Sequence, residues 1–516
     1  MSAEIPRRAE MDLRHIVKVD DIFPVAFGNE EETGLMDDTS GAMDEPYRLC
    51  SQLGEYVPRD IARFGDGHEY WLANGSKIYV GGARERLAPI DEGYEQTNLE
   101  RATAECNTVR NLALAVRASE VVAVKTIENY VKQESLEQER KITARLQRRT
   151  VDGVGSRKAC HDNYGMPQNA PFVSLFWSRN RMPDDVLTYA ASRSIIDGVG
   201  YVRNNGLRFS GKIGGLKSLY NYGYAGSMFR FSSAEGNPRI ESRDNDINIS
   251  DWAIMNRIGG MALALAITQT PLADKLRKLP ANHIIQAAKA MNSLPLNEDG
   301  TLRPEKDLMT AIDIQQRLSE VALNNLGLYV DEIPEELYWV ANERYTFCDD
   351  LRRITKSEAT IGLLHDRADW AAKMSLMLGR IHRDRKDGLP RAMTDIDSRA
   401  DDMRYDFMEI SATDGKLAKS KIGNGYKLRE KGVFKSAPFS SREIQDAYRR
   451  PIPGSRAELR GTLLNHYDVI SCDWGSMVIR DGPERKQFSF IDVEQTSFSD
   501  AQAFLLHSRS VNHDKF

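Results

Sequence analysis

The segment Gly28-Asn29-Glu30-Glu31-Glu32-Thr33-Gly34 constrains this chain more than any other, because it sets two acids, Glu30 and Glu32, on one face of a strand between two glycines. Side chains at i and i+2 leave a pleated strand in the same direction. Carboxylates so placed repel and desolvate each other, and they persist when a cation sits between them or when water screens them. Mg²⁺ bound with nucleotide phosphates is the usual occupant of such a pair. The alternative, for this segment alone, is a solvated acidic turn after Val25-Ala26-Phe27.

The 516 residues suffice for a large core and a smaller second domain. A hydrophobic share of 41% with 28% charged residues is that of a soluble globular protein. The net charge of -5 gives no general attraction to nucleic acid or to acidic membranes, so any phosphate-binding patch must be local. Cys50, Cys106, Cys160, Cys348 and Cys472 lie far apart without a C-x-x-C pair, which argues against a zinc ribbon or a disulfide framework. A reducing, cytoplasmic compartment is expected. The stretch from Arg7 to Asp21 is charged throughout and has no apolar h-region, and no segment has the length of a membrane span.

Strand and helix signals interleave in the first half, and helices dominate afterwards. Tyr70 to Val80 reads as a hairpin with Asn74-Gly75 in a type I′ turn. Apolar residues at helical spacing predict one long amphipathic helix from Asn107 to about Gln147. Phe172 to Trp177 reads as a strand, and Ile254–Ile267 and Arg367–Arg385 as helices, the first apolar on all sides and therefore buried. In the charged tract from about 386 to 436, rich in Lys and Gly, Gly415-Lys416 and Lys419–Gly425 are expected to be a flexible loop, with a linker near the end of the tract. This divides the chain into a catalytic domain, 1–436, and a small C-terminal α+β domain, 437–516. In the latter, Ala457–Leu464 reads as a helix, and Tyr467–Ile470, Trp474–Ile479 and Lys486–Val493 as strands.

Two suggestive motifs carry no chemistry on their own. Gly211 to Ser218 has the outline of a P-loop, but Leu216 stands where a glycine must precede the lysine; a mobile loop bringing Lys212 and Lys217 near a substrate fits better. Cys160 and His161 are adjacent on an extended segment, so they point to opposite faces and form no nucleophile–base dyad. The returning strand of the hairpin puts Lys77, Tyr79 and Gly81 on one face and Ile78 and Val80 on the other. Next come Glu100, Thr103 and Glu105; Glu105 has the alternative role of a partner for the helix N-terminus.

Taken together, these segments resemble the Pup ligase PafA and depupylase Dop family, relatives of glutamine synthetase and γ-glutamyl-cysteine ligase. Gly28–Gly34 is similar to its G-x-E-x-E-[FY]-G strand, Asn74–Val80 to N-G-A-R-L-Y-[LV], and Glu100–Cys106 to E-Y-A-T-A-E-C. Cys160–Tyr164 resembles C-H-E-N-Y, Ser192–Val202 resembles T-R-Q-L-I-C-G-A-G-K-V, and Arg239 onward aligns with R-L-H-V-I-V-G-D-S-N. Ala311–Gln315 resembles A-L-D-I-Q, and Ser455–Gly461 with Asp473-Trp474 resembles T-R-A-K-L-R-G and D-W.

The resemblance implies a glutamine synthetase-like α/β fold, a curved antiparallel sheet cradling ATP and Mg²⁺ beside packed helices, with a small C-terminal domain. It implies activation of a glutamate side-chain carboxylate as an acyl phosphate that an amine attacks, with a Pup-like or other protein or peptide as carboxylate donor. By position, Glu30, Glu32, Tyr79, Glu100 and Glu241 are the implied metal ligands; Lys77, Thr103, Arg460 and Trp474 are the implied nucleotide contacts. Lys77 replaces an arginine, keeping a point charge but losing bidentate geometry. Glu241 replaces a histidine and is itself a hard ligand.

The catalytic aspartate of the family falls on Gly81, which can accept no proton. The insertion between Val80 and Asn98 offers Asp91, with Glu92 and Glu95 behind it, as a relocated base. Ser227–Ser232 replaces T-R-D-E-P-H and leaves one arginine, Arg230. Three readings follow: an ATP-dependent carboxylate–amine ligase, a Dop-like amide hydrolase, and a nucleotide-binding pseudoenzyme. The short spacing between Glu32 and the hairpin, without room for the long depupylase loop, favours the ligase.

Overall fold

The computed structural model describes residues 22–37, 49, 52–81, 98–148, 158, 160–167, 170, 182–203, 206–220, 226–232, 238–389, 392–393, 396–435, 439–453 and 456–489. The acidic strand lies inside its main sheet. That sheet contains β1 (Ala26–Asp37), β2 (Ala62–Asp66), β3 (Glu69–Leu72), β4 (Lys77–Gly81), β5 (Asn98–Ala102), β6 (Ile142–Gln147) and β7 (Cys160–Gly165). After a two-stranded ladder of β8 (Tyr201–Arg203) and β9 (Gly206–Arg208), it continues with β10 (Ser218–Tyr220), β11 (Ser227–Ser232), β12 (Arg239–Asn245), β13 (Phe407–Thr413) and β14 (Lys416–Ile422). The strand order is β10-β11-β12-β7-β1-β5-β4-β3-β2. The far half of β1 exchanges β7 for β6, and β6 in turn carries the hairpin β13–β14. Pairing is antiparallel apart from β10 with β11, so the expected sheet is present with one parallel edge.

Alternation along β1 sends Glu31 to the face opposite Glu30 and Glu32. There it is fully buried, opposite Arg101 of β5. Arg148, just beyond β6, donates from Nη2 to both Glu31 oxygens at 3.0 Å and from Nη1 to Glu120 at 3.1 Å. Burial pushes the Glu31 carboxyl up, but the charges of Arg148, Arg101 and Arg257 outweigh it and hold the group below its ordinary value.

The same face carries Ile78, Val80 and Leu99 into the main core beside helix α1 (Val109–Glu137). Thr108 caps α1, its Oγ1 accepting from the Asn111 amide at 3.0 Å. The core continues into α2 (Asp251–Thr268), α3 (Lys306–Asn325), α4 (Glu335–Thr355) and α5 (Asp369–Lys386). As its sequence predicts, α2 is buried along nearly its whole length. Among the described residues, no helix is long and apolar enough to cross a membrane.

Several local expectations change. The helix expected to reach Gln147 stops at Glu137; Glu139 adopts a φ of 49°, and Ile142–Gln147 becomes β6 because β1 and β13 supply its hydrogen bonds. The tract around the expected loop holds a helix (Ile396–Tyr405), and the loop itself becomes the turn and second strand of the hairpin β13–β14 and the start of a further helix (Asn424–Glu430). Asp414 and Gly415, both at positive φ, turn that hairpin, and its lysines lie on an edge strand. At the Asn74-Gly75 turn only Gly75 has a positive φ. The Gly75 amide bonds Leu72 O at 2.8 Å, closing a tight turn before a left-handed glycine rather than a type I′ turn. Phe172–Trp177 lies outside the described residues.

Towards the C-terminus, α6 (Ser441–Arg449) packs along α1, with Glu443 paired to Arg110 at 2.7 Å. Helix α7 (Arg456–His466) and a three-stranded sheet, β15 (Asp468–Cys472), β16 (Ser476–Asp481) and β17 (Glu484–Ser489), form a smaller unit. Its core joins Leu463, Leu464, Met477 and Ile479 to Trp71 of β3.

Replacing Glu31 by Gln should leave buried Arg101 without its counter-charge and Arg148 with Glu120 alone, and lower stability by about 3–5 kcal/mol. Urea unfolding checks this; a loss below about 1 kcal/mol, the range of an exposed pair, would refute the assignment.

Candidate active site

Register aligns side chains of seven adjacent strands, from β11 to β3. Across β1 and β5, Glu32 faces Glu100 and Glu30 faces Ala102. Across β5 and β4, Glu100 faces Tyr79 and Ala102 faces Lys77. On the other side of β1, Glu30 faces His161 of β7, and Asn163 faces Glu241 of β12. Arg230 of β11 then faces Glu241, and Trp71 of β3 faces Lys77. Glu30, Glu32, Tyr79, Glu100 and Glu241, separated in sequence by up to about two hundred residues, therefore share one face of the sheet.

Glu30, His161 and Glu241 form the tightest group, with candidate ligand atoms all within 4.8 Å of one another. His161 Nδ1 lies 3.3 Å from Glu30 and 3.4 Å from Glu241. Sequence reasoning rejected His161 as half of a dyad and missed it as a site residue. The available signal was parity: Cys160 turns into the core, where Asn29 donates to its Sγ at 2.9 Å, which obliges His161 to face the acids. Burial disfavours the imidazolium, but the Glu30 hydrogen bond and the charges of Glu32, Glu30 and Glu241 raise His161 above its ordinary 6.5. Glu30 moves the other way: burial raises it, and His161, Arg239 and Arg243 together bring it below its ordinary value.

Glu100 has the opposite imbalance. Burial first, then the charges of Glu32 and Glu30, push it up to about 8. A divalent cation among these groups would relieve that repulsion, and two carboxylates with an imidazole are a donor set for one. The residues present fit the group.

Cations flank the acids. At one end Arg239 and Arg243 each approach Glu241 to 3.2 Å and Arg230 to 4.0 Å. At the other, Lys77 pairs with Glu69 at 2.9 Å, its Nζ lying 5.4 Å from the Trp71 ring centre and 5.3 Å from that of Tyr79. Thr103 lies behind this face, buried, its Oγ1 accepting from the Asn29 amide at 2.9 Å. Arg460 is also buried: it donates to Gly75 O at 2.9 and 3.1 Å and to Glu105 at 3.2 Å, and lies beside the contacting rings of Trp71 and Trp474 at 4.9 and 4.7 Å from their centres. Glu105 thus serves Arg460, while Thr108 caps α1. Trp474 meets Trp71 edge to face at 4.6 Å between centroids. Lys212 and Lys217 flank a short 3₁₀ turn whose Ile213 is buried. Asp91, Glu92 and Glu95 lie outside the described residues.

Comparison with known protein families matches residues 20–217 and 238–478 to the Pup-ligase protein family. The chain belongs to the Pup-ligase family. It is 22% identical over 485 residues to a Pup–protein ligase of Acidimicrobium ferrooxidans, covering 89% of this chain and 93% of that protein. To a Pup–protein ligase of Jonesia denitrificans it is 21% identical over 488 residues, with the same coverage. Among solved structures, PafA in complex with Pup superimposes with a TM-score of 0.70 at 19% identity, over 94% of this chain and 93% of that one. PafA in complex with ADP gives 0.63 at 20% identity, over 86% and 91%. The α/β fold of these Pup ligases is therefore the fold of this chain.

Glu30→Ala and His161→Ala should each weaken Mg²⁺-dependent ADP binding at least tenfold and leave the melting temperature within a few degrees. Because a protonated imidazole cannot ligate a metal, divalent affinity should also rise with pH through the His161 titration, which lies above 6.5, and then level off. Calorimetric titration across pH 6–9 checks both; unchanged affinity in both variants would remove the site.

Proposed function

We propose that this protein is an ATP- and Mg²⁺-dependent carboxylate–amine ligase that joins a Pup-like protein, or another protein or peptide carboxylate donor, to an amine. The observation that supports it best is the row of acids from β12, β1 and β5, completed by His161 of β7 and Tyr79 of β4 and bounded by cations, in a chain of the Pup-ligase family. Phosphoryl transfer needs alignment and neutralised charge more than covalent help from the protein. Glu30, Glu32, Tyr79, Glu100 and Glu241, joined by His161, would hold Mg²⁺, which neutralises phosphate charge when bound. Lys77 would meet phosphate and Trp474 would border the adenine, while Thr103 and Arg460 would hold the strands behind them.

In this reading the donor carboxylate attacks the γ-phosphate of ATP and ADP leaves; the amine then attacks the acyl carbon of the resulting acyl phosphate, whose carbon–oxygen bond breaks to release orthophosphate. The large unit to about residue 436 supplies the acids and the C-terminal unit closes the nucleotide end. A cytoplasmic setting, where ATP and free thiols coexist, suits this chemistry. A nucleotide-binding protein without chemistry is the second reading, and Gly81 is the residue that favours it.

Incubation with ATP, Mg²⁺, recombinant Pup and a lysine-bearing protein should release ADP. It should also yield a product whose intact mass is the sum of the two proteins minus one water. ADP binding with neither ADP release nor conjugate would support the second reading; cleavage of a preformed conjugate without ligation would support an amide hydrolase.

A further inference from the structure

Strand β12 is irregular where it meets the site. Its register with β7 sets Glu241 against Asn163 and Ser242 against Asp162, then resumes with Asn245 against Cys160, so Arg243 and Asp244 together stand opposite His161. Such a bulge gives one strand an extra residue and re-aims the side chains beside it. Arg243 is turned to the acid face, where its Nε lies 3.2 Å from Glu241 Oε1, the same oxygen that His161 Nδ1 approaches to 3.4 Å. Ser242 and Asp244 are turned the other way and are buried. There the buried Arg193 donates from Nη2 to Asp244 and, at 2.8 Å, to Ser242 Oγ, which in turn donates to Asp244 at 2.9 Å. The root of Arg193 is itself fixed. It follows the helix Asp184–Ser192, whose last residue is bonded by Gln315 of α3 at 2.6 Å, and Trp370 of α5 donates to Ile195 O at 2.9 Å. In R-L-H-V-I-V-G, the pattern that this strand resembles, the positions of 242, 243 and 244 are all apolar; here all three are polar, in the strand that carries Glu241 in place of histidine.

We propose that Arg193 is a positioning residue of the site: gripping Ser242 and Asp244 from behind, it holds the bulge of β12, and the bulge sets Arg243 against Glu241 so that one Glu241 oxygen stays aimed at His161. The inference rests on the Mg²⁺-dependent reading above and deepens it. Glu241 adds a negative charge to a face that already carries Glu30, Glu32 and Glu100, and a carboxylate left unheld there would be driven away from its neighbours. Arg243 supplies the adjacent positive charge, and the grip from behind keeps it in place. A slip of one residue at the bulge would exchange the two faces, bringing Asp244 among the acids and turning Arg243 into the interior. Arg193 touches no ligand of its own. Groups that orient a metal-binding side chain without touching the metal are worth about 10–100-fold in metal affinity.

Arg193→Ala would leave the buried Asp244 charge unmatched and disrupt the fold, so the test uses Asp244→Asn. In that variant Arg193 keeps Asp197, 3.9 Å from its Nε, as counter-charge. ADP affinity is measured by calorimetry with and without Mg²⁺. Asp244→Asn should lower the Mg²⁺-dependent increase in affinity about tenfold and leave affinity without Mg²⁺ within about twofold, because Lys77 and Trp474 lie towards the other end of the sheet. Arg243→Gln should do the same, and the double variant should lose no more than either single one. A crystal structure of Asp244→Asn should show Arg243 withdrawn from Glu241, a readout that needs neither metal nor activity. A lowered melting temperature with an unchanged Mg²⁺-dependent increase would make the grip structural only and overturn the proposal. So would additive losses in the double variant, or Arg243 still against Glu241 in the crystal. Wild-type protein whose ADP affinity does not respond to Mg²⁺ would overturn the Mg²⁺-dependent reading itself.

Discussion

The burial of Glu31 is the constraint on which the site depends. A carboxylate inside a protein is tolerable only when its charge is matched and its oxygens are hydrogen-bonded. Here Arg101 comes from the neighbouring strand and Arg148 from the end of β6, so the interaction is also a register lock. A slip of one residue along β1 would bring Glu30 or Glu32 between the arginines and turn Glu31 outward. The three consecutive glutamates are thus not equivalent, and the inner one fixes where the outer two point. Through Arg148 and Glu120 the lock reaches α1, and through Arg429 it reaches the helix following β14, so elements remote in sequence share one electrostatic anchor.

On the outer face the charges are grouped by sign along the sheet, with ion pairs where the groups meet. Acids occupy the middle strands, arginines one end and a lysine the other. The burial that raises Glu100 also strengthens every interaction a bound cation or phosphate would make there, while His161 is raised by its acidic neighbours against its own burial. The proton affinity of His161 and Glu100 is raised, so a metal bound here would compete with protons for the same groups.

Much of this face was legible in the sequence. The i, i+2 spacing of Glu30 and Glu32, the Lys77–Tyr79 parity and the position of Glu100 each predict a face, and the register brings those faces together. His161 escaped because its neighbour Cys160 attracted a chemical question about the pair, whereas strand parity answered it. The hairpin β13–β14 escaped because lysines on an edge strand resemble a solvated loop in composition; the Asp414-Gly415 pair was the hairpin signal. The end of α1 was overrun because Ile142, Ala144 and Leu146 continue an apolar pattern whose strand character comes from partners distant in sequence. Arg460 was assigned by resemblance to nucleotide, and its partners Glu105 and Gly75 emerge only once the C-terminal helix lies against the hairpin.

Trp71 belongs by its backbone to the large sheet and by its ring to the small core formed with α7 and β16. The two parts of the molecule therefore do not divide cleanly between segments of the chain: the smaller one borrows a wall from β3. For anyone recombining members of this family, the natural unit of exchange is β3 together with everything beyond α6, since a graft of the C-terminal segment alone would bring its apolar residues against a foreign ring. The inheritance of the two segments is coupled by packing, and substitutions in one should be answered in the other.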